Sequence, residues 1–500
     1  MLTLGVGAVA LLTYALHGVH GMLSRDLAVY SYAGQQVADG VPPYDGILNR
    51  AGPLAHAIPA IGVWIARAGG FDDVVTMRLQ FMAIATLCVC AVYLLGRDVF
   101  ASRLAGLVTA ATFLTFSGFI EYASNGPREK TPMTLFVTLA LWAVARRRWF
   151  TAGLCVSLAT LCLQIAFFSS FTAVVAGALF LAHGERLRAF GRIALGGALP
   201  VAVCAVWFAA AGSLRDAAEA FLLINMRYTT PDPVLPRLDA AWLDLQEAYG
   251  VSLWLLIGGL VALAVLSLGV VRKSGRAEGS SAVVLAAFTL GAAAGLAWNI
   301  KEYDAWPDLF PLLPFAAVGI GGLFHELTRR LAPRTAVVVA VVLSVAAAGT
   351  AIRESVTTRD ERLTIQRESV AAVLKQAPPN ATITSVEAPQ ALVLTERTNP
   401  TRHQMFSSGL QDYVEDTWPG GLDGFRAGVK AAQPDFVVFG DPMSKRWRAA
   451  FEPDYVYIGS APDWHWYARA SLGEDRIAAL RAAAGYDPTD PLALPPQPTR

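Results

Sequence analysis

The chain is 500 residues long, 54% hydrophobic and only 16% charged, with a formal net charge of +1. Soluble domains are about a quarter charged. Near-neutrality and the lack of any Lys/Arg-rich stripe exclude a nucleic-acid partner, and many separate apolar runs long enough to cross a hydrocarbon core exclude an ordinary soluble globule. The expected class is mainly α, a polytopic helical membrane protein in contact with membrane lipids. All five cysteines (Cys88, Cys90, Cys155, Cys162, Cys204) fall inside apolar runs, so neither a disulfide framework nor a metal-binding spacing is expected.

The first apolar stretch, residues 2–21, lacks a basic leader and an Ala-x-Ala cleavage site, and reads as a retained helix. Further spans are expected near 77–95, 104–120, 132–145, 150–166, 168–183, 193–212, 250–271, 281–298, 309–325 and 335–352, about eleven in all. Basic residues set their orientation. They gather at Arg97 and Arg103, at Arg146 to Arg148, at Arg186, Arg188 and Arg192, at Arg272, Lys273 and Arg276, and at Arg329, Arg330 and Arg334. These loops alternate correctly if all five are cytoplasmic, which leaves the C-terminus outside. Residues 53–70 are apolar, but a crossing there would move every later basic loop outside. With Pro53, Pro59, His56, Trp64 and Arg67 they read as a helix lying on the outer interface. Between 150 and 183, LQIAFFSSF is expected to hold an outer turn, with Gln164 the main polar exception within the apolar runs.

Beyond Arg353 the chain turns polar. ESVAAVLKQ and FRAGVKAAQ read as helices, and ATITSVE, PDFVVFG, DYVYIG and WHWYARA as strands, the pattern of a small α/β domain. The expected division is a membrane domain over 1–353, a small extracytoplasmic α/β domain over 354–485, and a disordered Pro-rich tail over 486–500. No internal repeat is evident.

The stretch from Ser24 to Pro53, SRDLAVYSYAGQQVADGVPPYDGILNRAGP, follows the first span and is too long and too structured for a simple flank. It carries Arg25-Asp26, a helical run from Tyr30 to Val37, a turn from Gly40 to Asp45 with Pro42, Pro43 and Tyr44, then Asn49-Arg50 and Gly52-Pro53. In this order it resembles the GT-C superfamily of integral-membrane glycosyltransferases, nearest the dolichyl-phosphate-mannose and aminoarabinose transferase type. Leu27 stands where many members carry a second acid, and Arg50 lies off the usual Lys-Pro spacing. The resemblance implies a mannosyltransferase-like enzyme that moves a sugar from a polyprenyl-phosphate donor to a glycan, lipid or protein acceptor at the outer face.

Such a reaction needs a base for the acceptor hydroxyl and cations for the departing phosphate. Asp26 is the candidate base, and Glu129 a candidate second carboxylate, although an acid there also suits a helix start. Arg50, Arg128, Lys301 and Tyr303 are candidate phosphate-binding residues. Tyr30, Tyr44, Asn225 and Arg227 are candidate substrate contacts, with residues 229–248 a candidate lid. Lys301 and Tyr303 equally suit an interfacial anchor. No cofactor is required, and a divalent metal near Asp26 and Glu129 is left open. A transporter or flippase of lipid-linked sugars is the alternative. It calls for repeat symmetry and polar groups at mid-membrane. A membrane-anchored sensor or scaffold is a third reading.

Overall fold

A computed structural model describes residues 1–181, 183–229, 233–273, 281–440, 447, 449–490 and 492. Arg276, residues 230–232 of the expected lid and most of the expected tail lie outside the described residues. The first helices in chain order are α1 (Leu2–His17), α2 (Arg25–Ala38), α3 (Pro53–Gly69), α4 (Asp73–Phe100), α5 (Arg103–Leu114) and α6 (Ser117–Ser124). Next come α7 (Lys130–Ala145), α8 (Trp149–Cys162), α9 (Ala166–Leu179), α10 (His183–Ala211), α11 (Leu214–Ala218) and α12 (Ile224–Arg227). They are followed by α13 (Leu238–Tyr249), α14 (Ser252–Lys273), α15 (Ser281–Lys301), α16 (Leu313–Thr328) and α17 (Pro333–Thr357). The last five are α18 (Arg362–Gln376), α19 (Gln390–Thr395), α20 (Leu410–Thr417), α21 (Gly421–Ala432) and α22 (Glu474–Ala484).

The chain folds into two compact units. One holds Met1–Val19, Arg78–Trp207 and Pro231–Arg359; the other holds His20–Met77, Phe208–Thr230 and Asp360–Arg500.

In the first unit every stretch expected to cross the membrane carries a helix. Among the described residues, five stretches are long and apolar enough to span: Asp73–Phe100, His183–Ala211, Ala282–Lys301, Trp306–Thr328 and Pro333–Gln376. Two pairs bent by 70° (α5 with α6) and 106° (α13 with α14) raise the number to seven. α1, α7, α8 and α9 are apolar but shorter than the roughly 20 residues of a full crossing. Hence about eleven apolar helices exist, but five to seven meet the length test. α10, α14 and α17 expose apolar side chains such as Leu195, Val203, Val206, Val261, Val265, Val338 and Val342. Exposed apolar bands of that extent face lipid, not water. The protein is a multi-pass membrane protein.

Small residues let these helices touch backbone to backbone. A Cβ on Gly319 of α16 would lie 1.8 Å from the carbonyl oxygen of Gly259 in α14, and one on Gly196 of α10 would lie 2.0 Å from the carbonyl oxygen of Phe150 in α8. The turn between α8 and α9 is confined to Leu163–Ile165, so Gln164 sits in the turn and not at mid-helix.

The second unit holds a four-stranded sheet of β1 (Ile383–Val386), β2 (Phe436–Phe439), β3 (Tyr455–Ala461) and β4 (Trp464–Arg469). The order is β1-β2-β4-β3, with β1 and β2 parallel and the other pairs antiparallel. FVVF in β2 is buried at every position, as a central strand's unbroken apolar run requires. All four strands and both helices read from the polar C-terminal sequence are present; α19, α20 and α22 are additional. At the start of the expected tail, Tyr457 donates its hydroxyl hydrogen bond to Asp490 Oδ2 at 2.8 Å.

Candidate active site

In the second unit, α2 starts after Ser24, whose backbone is extended, and places Asp26 in the first turn. A carboxylate is favoured there by the helix dipole. Arg25 Nε and Nη2 both donate to Asp26 Oδ1 at 3.2 Å, while Nη1 donates to Glu387 Oε2, also at 3.2 Å. The Asp26 side chain is 43% exposed and that of Glu387 only 2%. Burial weakens the hold of Arg25 on its proton, but the charges of Asp26 and Glu387 outweigh it, and its pKa is raised. Tyr30 is half-buried on the same helix.

The rest of α2 is gripped by C-terminal residues. Tyr32 accepts a hydrogen bond from the Asn399 backbone N–H at 2.8 Å, and Gln35 Nε2 donates to the Val393 carbonyl at 3.3 Å. Just before α2, Leu23 and Gln366 exchange two hydrogen bonds, of 2.8 and 3.1 Å. Gly34 abuts Pro59 of α3, where a Cβ would come within 2.7 Å.

The turn after α2 is fixed from within. Tyr44 adopts a left-handed φ of 75°, is fully buried, and donates its hydroxyl to the Ala51 carbonyl at 2.8 Å. Its ring lies 4.9 Å from His56 and 6.0 Å from Phe208. Arg50 Nη1 donates to Thr229 Oγ1 at 2.8 Å, and its carbonyl accepts from Asn225 Nδ2 at 3.0 Å. Asn225 therefore fastens the Arg50 backbone, while Arg227 is exposed. The C-terminal part also holds this segment: Arg402 pairs with Asp216 at 2.6 Å, and Tyr413 donates to Glu219 at 3.2 Å.

In the first unit, Glu129 closes the short link between α6 and α7. It is buried, and its Oε1 accepts from the Tyr122 hydroxyl at 3.2 Å. Its Oε2 lies 3.7 Å from Arg128 Nε, and the Arg128 guanidinium stacks 4.4 Å over the Tyr122 ring. Lys130 is committed to Asp308 at 2.7 Å, a buried pair. Asp308 Oδ2 also accepts from the Asp304 backbone N–H at 2.8 Å, which binds the link ahead of α7 to the turn ahead of α16. Lys301 is exposed, with Nζ 4.9 Å over the Trp298 ring. Tyr303 is buried and donates to Asp244 Oδ2 at 2.6 Å, so its hydroxyl is already engaged.

Each unit thus gathers part of the expected set: Asp26, Tyr30, Tyr44, Arg50, Asn225 and Arg227 in one, Arg128, Glu129, Lys301 and Tyr303 in the other. Sequence reasoning missed Glu387, Asp244 and Asp308. Only Asp308 had a signal, since a lone acid just ahead of an apolar helix calls for a partner. Among the described residues, no three His, Cys, Asp or Glu side chains group closely enough to hold a metal ion.

No family model and no curated protein matches the chain. Solved structures do. ArnT from Cupriavidus metallidurans, bound to undecaprenyl phosphate, superposes with a TM-score of 0.62 at 14% identity over 95% of this chain and 98% of that one. The apo oligosaccharyltransferase of Archaeoglobus fulgidus gives 0.53 at 13% identity over 96% and 77%. Arabinofuranosyltransferase AftD from mycobacteria gives 0.52 at 13% identity over 93% and 40%. All three are GT-C glycosyltransferases. The chain has the GT-C fold. At these identities the GT-C likeness is one of fold, so the chemistry rests on the residues described above.

Proposed function

We propose that this protein transfers a sugar from a polyprenyl-phosphate donor to an acceptor on the outer side of the membrane, with its C-terminal α/β part on that side. The observation that carries the reading is Asp26 within the GT-C fold: a half-exposed carboxylate in the first turn of α2, oriented by Arg25. In this reaction the acceptor oxygen attacks the anomeric carbon while Asp26 takes its proton. The bond from the sugar to the phosphate oxygen breaks, and the polyprenyl phosphate leaves with the electron pair. Arg50, in the same unit as Asp26 and held by Thr229, supplies positive charge for that anion, since preorganised positive charge counts most where negative charge develops. Glu129, held by Tyr122 and Arg128, supports the loop that carries Arg128.

The test joins identity and mechanism. Cells lacking the protein should lose one glycan or accumulate one lipid-linked sugar, read by mass spectrometry of the envelope. In purified protein, Asp26→Asn keeps the shape but removes the proton acceptor, so transfer should fall by at least about 100-fold. Binding of undecaprenyl phosphate should be nearly unchanged, whereas Arg50→Ala should weaken it. Near-normal turnover in the Asp26→Asn variant would remove Asp26 as the base.

A further inference from the structure

We infer that Glu387, in the C-terminal α/β part, is a positioning residue for the transfer: it holds Arg25, and Arg25 in turn fixes the carboxylate of Asp26. This rests on the reading of Asp26 as the base.

Glu387 is the first residue past β1 and takes a left-handed φ of 59°, which side chains other than glycine's rarely adopt. Its backbone N–H donates to the Gln404 carbonyl at 2.7 Å. Gly440 presses on it so closely that a Cβ there would lie 2.2 Å from the Glu387 carbonyl oxygen. One carboxylate oxygen, Oε1, accepts two backbone N–H groups, from Phe406 at 2.5 Å and Ser407 at 2.6 Å. That oxygen is committed to the protein. The other, Oε2, meets Arg25. Backbone strain of this kind survives only where the surroundings enforce it, and it clusters at working sites.

A carboxylate needed only to pin the turn at 405–407 would not require a second partner. Arg25 is held at both its side chain and its backbone. Its side chain bridges Glu387 and Asp26, and its backbone N–H donates at 2.7 Å to Asp463 Oδ2, which Gln390 Nε2 also contacts at 2.6 Å. The charged groups facing Arg25 are therefore Asp26, Glu387 and Asp463. Sharing the cation between two carboxylates orients Asp26 without giving it the whole counter-charge, which would make it a weaker base.

Two variants separate this role from plain structure. Glu387→Gln keeps the shape and an acceptor for the 405–407 backbone but leaves Asp26 the only carboxylate on the Arg25 side chain. Arg25→Gln leaves the backbone bonds of Glu387 intact and removes the Arg25 charge from beside Asp26. The readout that needs no substrate is infrared titration of the Asp26 carboxyl in full-length protein in nanodiscs, resolved as the difference from Asp26→Asn. The protonation midpoint should fall in Glu387→Gln and rise in Arg25→Gln. Turnover, measured as undecaprenyl phosphate released from undecaprenyl-phosphate-linked sugars, should fall roughly 10- to 100-fold in both, with a smaller change in donor KM. A midpoint that stays put in Glu387→Gln overturns the inference. If that variant does not fold, Arg25→Gln decides: no rise in its midpoint overturns it. Should Asp26→Asn retain its turnover, the base assignment fails, while the two midpoints still decide whether Glu387 acts on Asp26 through Arg25.

Discussion

Among single residues, His403 is a case of burial fixing protonation. It sits in an aromatic enclosure, with ring centroids 5.4 Å from Trp418 and 6.4 Å from both Tyr413 and Phe425. Burial first, and the neighbouring Arg402 charge second, push its pKa down to about 4 from an ordinary 6.5. In the unfolded chain the ring takes up a proton near its ordinary value. Between these limits the unfolded state holds more protons than the folded one, so stability falls as pH is lowered through the window and levels off below it. The contribution is roughly 3 kcal/mol at most. Thermal unfolding of the full chain, followed by tryptophan fluorescence at pH 7 and pH 5, should show a drop in Tm that is smaller in His403→Phe. Equal drops in the two proteins would refute this. Asp26 was legible because an acid at a helix start after a membrane span is a local pattern. Glu387 was not, because its partner lies 362 positions away along the chain and nothing near Glu387 in the sequence signals a contact at that distance.

At the scale of elements, apolar runs and strand-rich runs located the helices of the expected spans and all four strands, since both signals are local, but not α11, α12, α13, α19, α20 or α22. The misses share a cause: tertiary contacts ordered segments that read as loops. Residues 238–249, which take up the second half of the expected lid and one residue beyond it, form α13, held where Asp244 accepts from Tyr303 and from the Trp306 backbone N–H at 2.8 Å. Likewise α6 continues to Ser124, past residue 120 where the expected span ended. The α14–α16 crossing yields a prediction of its own. A side chain at Gly319 would overlap the Gly259 backbone, which has no rotamer with which to yield. Gly319→Val should therefore destabilise by about 1–3 kcal/mol and lower the Tm in detergent, while Gly258→Val, whose Cβ would meet nothing within 4 Å, should be near neutral. Similar Tm values for both variants would mean that the helices do not rely on this contact.

For the whole molecule the decisive question is which way the chain threads the membrane, and it turns on α3. The helix has 17 residues, a rise of about 26 Å against a hydrocarbon core of about 30 Å. Its two ends are anchored to neighbours that belong together. At the C-terminal end Arg67 pairs with Asp39 at 2.5 Å, just past α2, and lies 3.6 Å from Asp73 at the start of α4. Near the N-terminal end, His56 packs on Tyr44, which stacks on Phe208 towards the end of α10. One face, with Pro59, Ala60 and Val63, is buried. The other shows Ile61, Trp64 and Ile65 at 46–53% exposure, and Phe71 follows at 67%. A single apolar stripe edged by Trp and Arg suits a helix lying in the headgroup layer better than one surrounded by lipid. We therefore expect α3 not to cross, the basic loops to stay cytoplasmic, and the α/β part to lie outside. Single cysteines report this once Cys90 and Cys204, which are only half-buried, are replaced by Ser, because Cys88, Cys155 and Cys162 are buried and label poorly. Phe71→Cys and Ala431→Cys should react with an impermeant maleimide in intact cells, and Arg148→Cys only after the membrane is opened. Protection of position 71 would mean that α3 spans. Protection of position 431 would place the α/β part inside, and with it Glu387 and the chemistry assigned to the outer face.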